Sequence, residues 1–277
     1  MTERARRLAP LLLVIALAVA WQLPGGDWLR LSDPDPQDAE RMTVALGALG
    51  DEPRVLVGFD ADIGTYAEIR PTVRSLIADI LAREGRLAFV SLTAEGRALA
   101  SAELARMGRG EANPTRLLDL GFIPGAEAGL VDLTREIRVR GTVDGAFARE
   151  VDAGGIGTFD AVLVIGGNDL GPRSWIEQVA PRIDDVPFLA VTPTVLLPEV
   201  QPYLASGALG AMIATPRDGA AYRETLDLGN LARLADPIEP RPLPLLIGML
   251  VAVAVLGQAL GARVLDYLRA SRSREPG

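Results

Sequence analysis

The chain has 277 residues, is 49% hydrophobic and carries a formal net charge of −8 from 28 basic and 36 acidic residues. It contains no His and no Cys, and every basic residue is Arg, which excludes imidazole and thiolate metal sites, Ser-His-Asp and Cys-His pairs, Schiff-base lysines and phosphate-loop lysines. The acidic balance argues against nucleic acid as a partner, and a chain without Cys does not depend on an oxidising compartment to fold.

The first apolar stretch, Leu8 to Gly26, holds no charge and follows Arg4, Arg6 and Arg7. Each Leu, Ile or Val favours insertion by about 0.3–0.6 kcal/mol, or roughly 3–6 kcal/mol over such a segment. Residues 1–26 are therefore expected to be an N-terminal transmembrane anchor. The alternative is a secretory signal segment, since Ala18-Val19-Ala20 matches a small-residue cleavage pattern. Residues 27–53 read as a spacer, Pro- and Asp-rich at first and then a short helix over Gln37 to Leu49.

From Arg54 the pattern changes to short apolar runs alternating with amphipathic segments, which predicts βα units and a mostly parallel open sheet with helices on both faces, a Rossmann-like α/β domain over residues 54–235. Expected strands are Val55 to Phe59, Leu87 to Leu92, Leu117 to Phe122, Ala161 to Ile165, Phe188 to Val191 and Leu209 to Ile213. Expected helices are Thr65 to Arg83, Ala94 to Met107, Trp175 to Arg182, Leu197 to Ala205 and Gly219 to Leu234. Thr65 and Glu68 have capping-box spacing, and Pro71 either breaks off the first turn or starts the main helix. Glu136 to Phe159 is Gly-rich and charge-alternating, and is expected to be an exposed excursion or hairpin.

A Pro-rich linker, residues 236–242, leads to a second uncharged stretch, residues 243–262, expected to be a transmembrane helix. Gly248 with Ala252, and Gly257 with Gly261, give small residues at four-residue spacing, which permits close helix contact and self-association or pairing with other membrane proteins. The tail, residues 263–277, carries Arg263, Arg269, Arg272 and Arg274. With Arg at both outer ends, the positive-inside rule places both termini in the cytoplasm and the main domain outside it, at the cell membrane.

Carboxylates, hydroxyls and Arg are the chemistry that remains. Open parallel sheets bind ligands beyond the carboxyl ends of their strands, so two turns become candidates. Asp60-Ala-Asp62 follows the first strand, with Thr65 beyond it. Two carboxylates at that spacing suit a hard cation such as magnesium through oxygen ligands. The alternative is turn chemistry, with Asp62 and Thr65 capping the helix. The Asp-x-Asp spacing resembles the haloacid-dehalogenase nucleophile motif, but Gly64 displaces the expected Thr to Thr65. Gly166-Gly167-Asn168-Asp169 follows the fourth strand. There Gly167 would let a ligand approach the backbone, and Asn168 or Asp169 would complete an oxygen site with Asp60, against a plain turn as the alternative. Thr192 and Thr194 end the next strand and offer hydroxyls to the same crevice. Asp60, Asp62 and Asp169 are thus the candidate metal ligands, and Asp60, Asp62, Thr65, Gly167, Asn168, Asp169 and Thr192 the candidate ligand-binding set.

At these turns the chain resembles an uncharacterised family of bacterial membrane-anchored Rossmann-like α/β proteins. The resemblance rests on DADIGTYAE from Asp60, DLGFIPG from Asp119, FDAVLVIGGNDLGPRSWIEQV from Phe159 and QPYLASGALGAMIATPRDGAAYRE from Gln201. It implies the fold and the tether but no substrate. Pro216-Arg217-Asp218 departs from the family's more Gly-rich approach to Gly219-Ala-Ala-Tyr222. The function expected is a membrane-anchored extracytoplasmic binding or scaffold module within a membrane complex, without catalytic activity. The alternative is a divalent-cation-dependent hydrolase or transferase using Asp60, Asp62 and Asp169, with Arg70 or Arg173 neutralising an anionic substrate.

Overall fold

The computed structural model describes residues 36–108, 114–137, 145–183 and 185–235, all within one compact unit, Pro34–Glu239. Its centre is a sheet of six parallel strands: β1 (Arg54–Asp60), β2 (Arg86–Ser91), β3 (Leu117–Phe122), β4 (Ala161–Gly166), β5 (Phe188–Val191) and β6 (Ala211–Ile213). Their order is β3-β2-β1-β4-β5-β6, so chain direction across the sheet reverses between β1 and β4. Every expected strand is present and all pairs are parallel. Unbroken apolar runs such as Ala161–Ile165 suit this arrangement because both faces of a parallel sheet are covered.

Side chains alternate between two layers along each strand. Val55, Val57 and Phe59 face one layer, whereas Leu56 faces the other. The first layer contains α1 (Pro36–Gly47), α2 (Ile63–Ala82), α3 (Ala94–Gly108) and α8 (Pro216–Glu224). The second contains α4 (Glu127–Arg135), α5 (Ala146–Gly154), α6 (Pro172–Gln178) and α7 (Leu197–Ser206). Helix α2 buries Val73, Leu76, Ile77 and Ile80 on one face, at about 1.5–3 kcal/mol for each large aliphatic side chain. Two buried ionic groups tie this layer together. Glu103 on α3 accepts from Arg74 on α2 and from Arg106, and Tyr222 on α8 donates to Asp79 on α2 at 2.6 Å.

Four expectations are corrected. The helix expected within a spacer belongs to the core: Ala39, Met42 and Leu46 are buried and α1 packs on α8 and β6. Within the stretch from Glu136 to Phe159, residues 145–159 are not an exposed excursion, because α5 and the 3-10 turn Gly155–Thr158 bring Phe147, Val151, Ile156 and Phe159 into the second layer; residues 138–144 lie outside the described residues. The single helix expected from Gly219 to Leu234 is two pieces. Helix α8 starts earlier, at Pro216, where Thr215 accepts from the Asp218 N–H and donates to its carboxylate. It ends where the Thr225 hydroxyl takes up the Tyr222 carbonyl, and a 3-10 turn, Gly229–Arg233, follows. Helix α6 begins at Pro172 rather than Trp175, and stops before Pro181, which lacks an amide donor and disfavours helix at the residue before it.

Among the described residues no helix is long and apolar enough to cross a membrane. The two apolar stretches, 8–26 and 243–262, with Gly248, Ala252, Gly257 and Gly261, lie outside the described residues.

Candidate functional site

The reversal between β1 and β4 is the place where an open parallel sheet leaves a crevice at its carboxyl edge. Asp60 ends β1 directly opposite Gly166 at the end of β4, and its side chain is fully buried. One carboxylate oxygen accepts from the backbone N–H groups of Leu92, at 2.6 Å, and Thr93, at 3.1 Å, in the turn between β2 and α3. The other accepts from the indole N–H of Trp175 on α6 at 3.3 Å. The Asp60 carbonyl takes the Asn168 side-chain amide at 2.7 Å. One residue thus joins β1 to the turns after β2 and β4 and to a helix of the second layer.

Glycines make this arrangement possible. A Cβ on Gly58 would lie 2.4 Å from the Trp175 ring, so the indole lies against bare β1 backbone while its N–H reaches Asp60, two residues on and on the same face. A Cβ on Gly96 would lie 2.2 Å from the Phe59 carbonyl, which lets the start of α3 close on the end of β1. Burial pushes the Asp60 carboxyl up to about 6, against the hydrogen bonds from Leu92, Trp175 and Thr93, which favour its charged form.

The remaining candidates, apart from Asp169, are also engaged within the protein. Asp62 caps α2, accepting from the Thr65 N–H at 2.8 Å and the Thr65 hydroxyl at 2.7 Å. Burial opposes its charge, but these bonds hold its carboxyl below the usual carboxylate range. The cap is therefore Asp62, and the expected capping box on Thr65 is not formed. Glu68 reaches across to the Thr194 N–H and hydroxyl instead. A Cβ on Gly167 would come within 2.4 Å of the Thr65 hydroxyl and 2.8 Å of the Asp62 carboxylate. Gly167 thus admits the neighbouring turn, as the plain-turn reading of residues 166–169 has it. Asn168 accepts from the Leu170 N–H as well as donating to Asp60. Thr192 is buried, with its hydroxyl on the Pro193 carbonyl. Asp169 is exposed.

Among the described residues no group of three or more acidic side chains is placed to hold a metal ion. Asp60, Asp62 and Asp169 do not assemble the shared oxygen site that their positions suggested: Asp60 is turned into the sheet edge and Asp62 into its own helix. Chemically, the arrangement braces one turn against the next. Trp175 and the Leu92-Thr93 turn, the main partners of Asp60, were not identified from the sequence. Two signals pointed to them: a Gly inside an otherwise apolar strand, which marks close approach, and a Trp, whose N–H needs a partner when buried. No family model matches the chain, and no curated protein matches it.

Proposed function

We propose that the chain is a non-catalytic binding or scaffold module, a Rossmann-like domain held outside the cytoplasm by two membrane helices and working within a membrane complex. The observation that carries this reading is the use made of the carboxyl edge. The groups that a cation-dependent hydrolase would need, Asp60 and Asp62, are occupied by Leu92, Thr93, Trp175 and Thr65. The absence of His, Cys and Lys favours the same class. The tether rests on the two uncharged apolar stretches and on the Arg residues at their outer ends, and it agrees with the resemblance to membrane-anchored Rossmann-like proteins.

The Cys-free sequence provides a direct test. Val44→Cys, exposed on α1, is to react with a membrane-impermeant maleimide in intact spheroplasts. Ser273→Cys in the tail is to react only after lysis. The reverse pattern, or equal labelling of both before lysis, would sink the proposed topology.

A further inference from the structure

Four large apolar side chains are conspicuously exposed among the described residues: Val44 at 71%, Ile63 at 65%, Phe122 at 36% and Val195 at 71%. Three of them share the carboxyl edge of the sheet. Ile63 follows β1, Phe122 ends β3 and Val195 follows β5. In the order β3-β2-β1-β4-β5-β6 these strands are each separated by one other. At about 4.8 Å per strand, the ends of these three strands are spaced about 10 Å apart along the edge. Seven residues of α-helix advance about 10 Å, so the row matches one apolar face of a helix lying across the strand ends.

Carboxylates that border this row are not paired with Arg. Glu68, Glu95 and Glu127 lie near the starts of α2, α3 and α4, and their hydrogen bonds come from N–H and hydroxyl groups rather than from Arg. The Glu95 carboxylate accepts from the Ile63 N–H itself. Asp169 is exposed beside them. Two nearby Arg residues are already compensated, Arg97 by Asp119 and Arg173 by Glu177 and Glu199. An apolar row bordered by carboxylates without cationic partners is complementary to a helix with an apolar stripe and basic flanks.

We infer that the carboxyl edge docks a cationic amphipathic helix of a protein partner, with Ile63, Phe122 and Val195 contacting its apolar stripe and Glu68, Glu95, Glu127 and Asp169 facing its basic residues. This names the class of partner for the binding module proposed above and rests on that reading, but its test does not depend on the membrane topology. The probe is a synthetic helix of about 18 residues with Leu at seven-residue spacing and flanking Arg, compared with the same peptide carrying Glu in place of Arg. Fluorescence anisotropy against the full-length protein in detergent should show saturable, salt-sensitive binding of the Arg peptide only. The double variant Ile63→Asp/Val195→Asp should weaken that binding by about tenfold or more, while Val44→Asp, on α1, leaves it unchanged. Equal binding of the two peptides, no saturable binding of either, or an equal loss with Val44→Asp overturns the inference. So does a homodimer that Ile63→Asp dissolves, since the face would then belong to a second copy of this chain.

Discussion

Replacing Asp60 by Asn tests the wiring of the carboxyl edge, because the change keeps the side chain's shape and removes its charge. A carboxyl at about 6 in the folded chain, against the ordinary 3.8, corresponds to about 3 kcal/mol of linkage between protonation and folding. The direction follows from the raised value. The folded chain holds the proton more tightly, so this stability is fully present below pH 3.8 and lost as pH rises through about 6. Between pH 4 and pH 7.5 the loss is about 2 kcal/mol. In Asp60→Asn the amide oxygen can still accept from Leu92 and Thr93, but the amide NH2 meets the Trp175 N–H donor to donor. Leaving that buried N–H unpaired costs about 1–3 kcal/mol, which offsets the relief of no longer burying a charge. The variant should be close to wild type at pH 7.5 and less stable by about 2 kcal/mol at pH 4. Urea unfolding of the full chain in detergent, followed by Trp175 fluorescence with Trp21 and Trp28 replaced by Phe, measures this directly. Carboxyls held low in the folded state, such as Asp62, Glu103 and Asp160, act equally in both proteins and cancel in the comparison. The same pH dependence in wild type and variant would refute the assignment of Asp60.

Two further substitutions probe the same frame. Gly167→Ala puts a methyl group 2.4 Å from the Thr65 hydroxyl and should cost about 1–3 kcal/mol by overpacking, whereas Gly157→Ala, with open space around it, should lie within about 0.5 kcal/mol of wild type in the same urea titration. Tyr222→Phe removes the 2.6 Å hydrogen bond to Asp79 and should lower stability by about 1–3 kcal/mol. An unchanged thermal midpoint there would show that the α2–α8 seam does not depend on this contact.

The sheet was legible because its strands are short continuous runs of Val, Leu, Ile and Ala between turn residues, a pattern that only a doubly covered strand tolerates. The helices were read less well where packing, rather than periodicity, decides. Phe147 and Val151 are four residues apart and enter the core, but the glycines and charges around them conceal that face. Helix α1 looked like a spacer because Met42 and Leu46 reveal their role only once α8 and β6 lie against them. At the site, position along the chain identified the correct turns but not the direction of the side chains. Asp60 after an apolar strand is equally consistent with a ligand and with a brace, and the distinction depends on Trp175, more than 100 residues away. Capping was the more local problem, and the alternative that Asp62 and Thr65 close the turn is the arrangement found.

The most direct measurement is native mass spectrometry of the full-length chain extracted gently from its own membranes. A binding module at the membrane predicts a second protein retained at fixed stoichiometry, with no divalent metal bound to the chain. A chain recovered alone with a divalent metal, released by Asp60→Asn, would contradict the non-catalytic reading and restore the carboxylate turn as a reactive site.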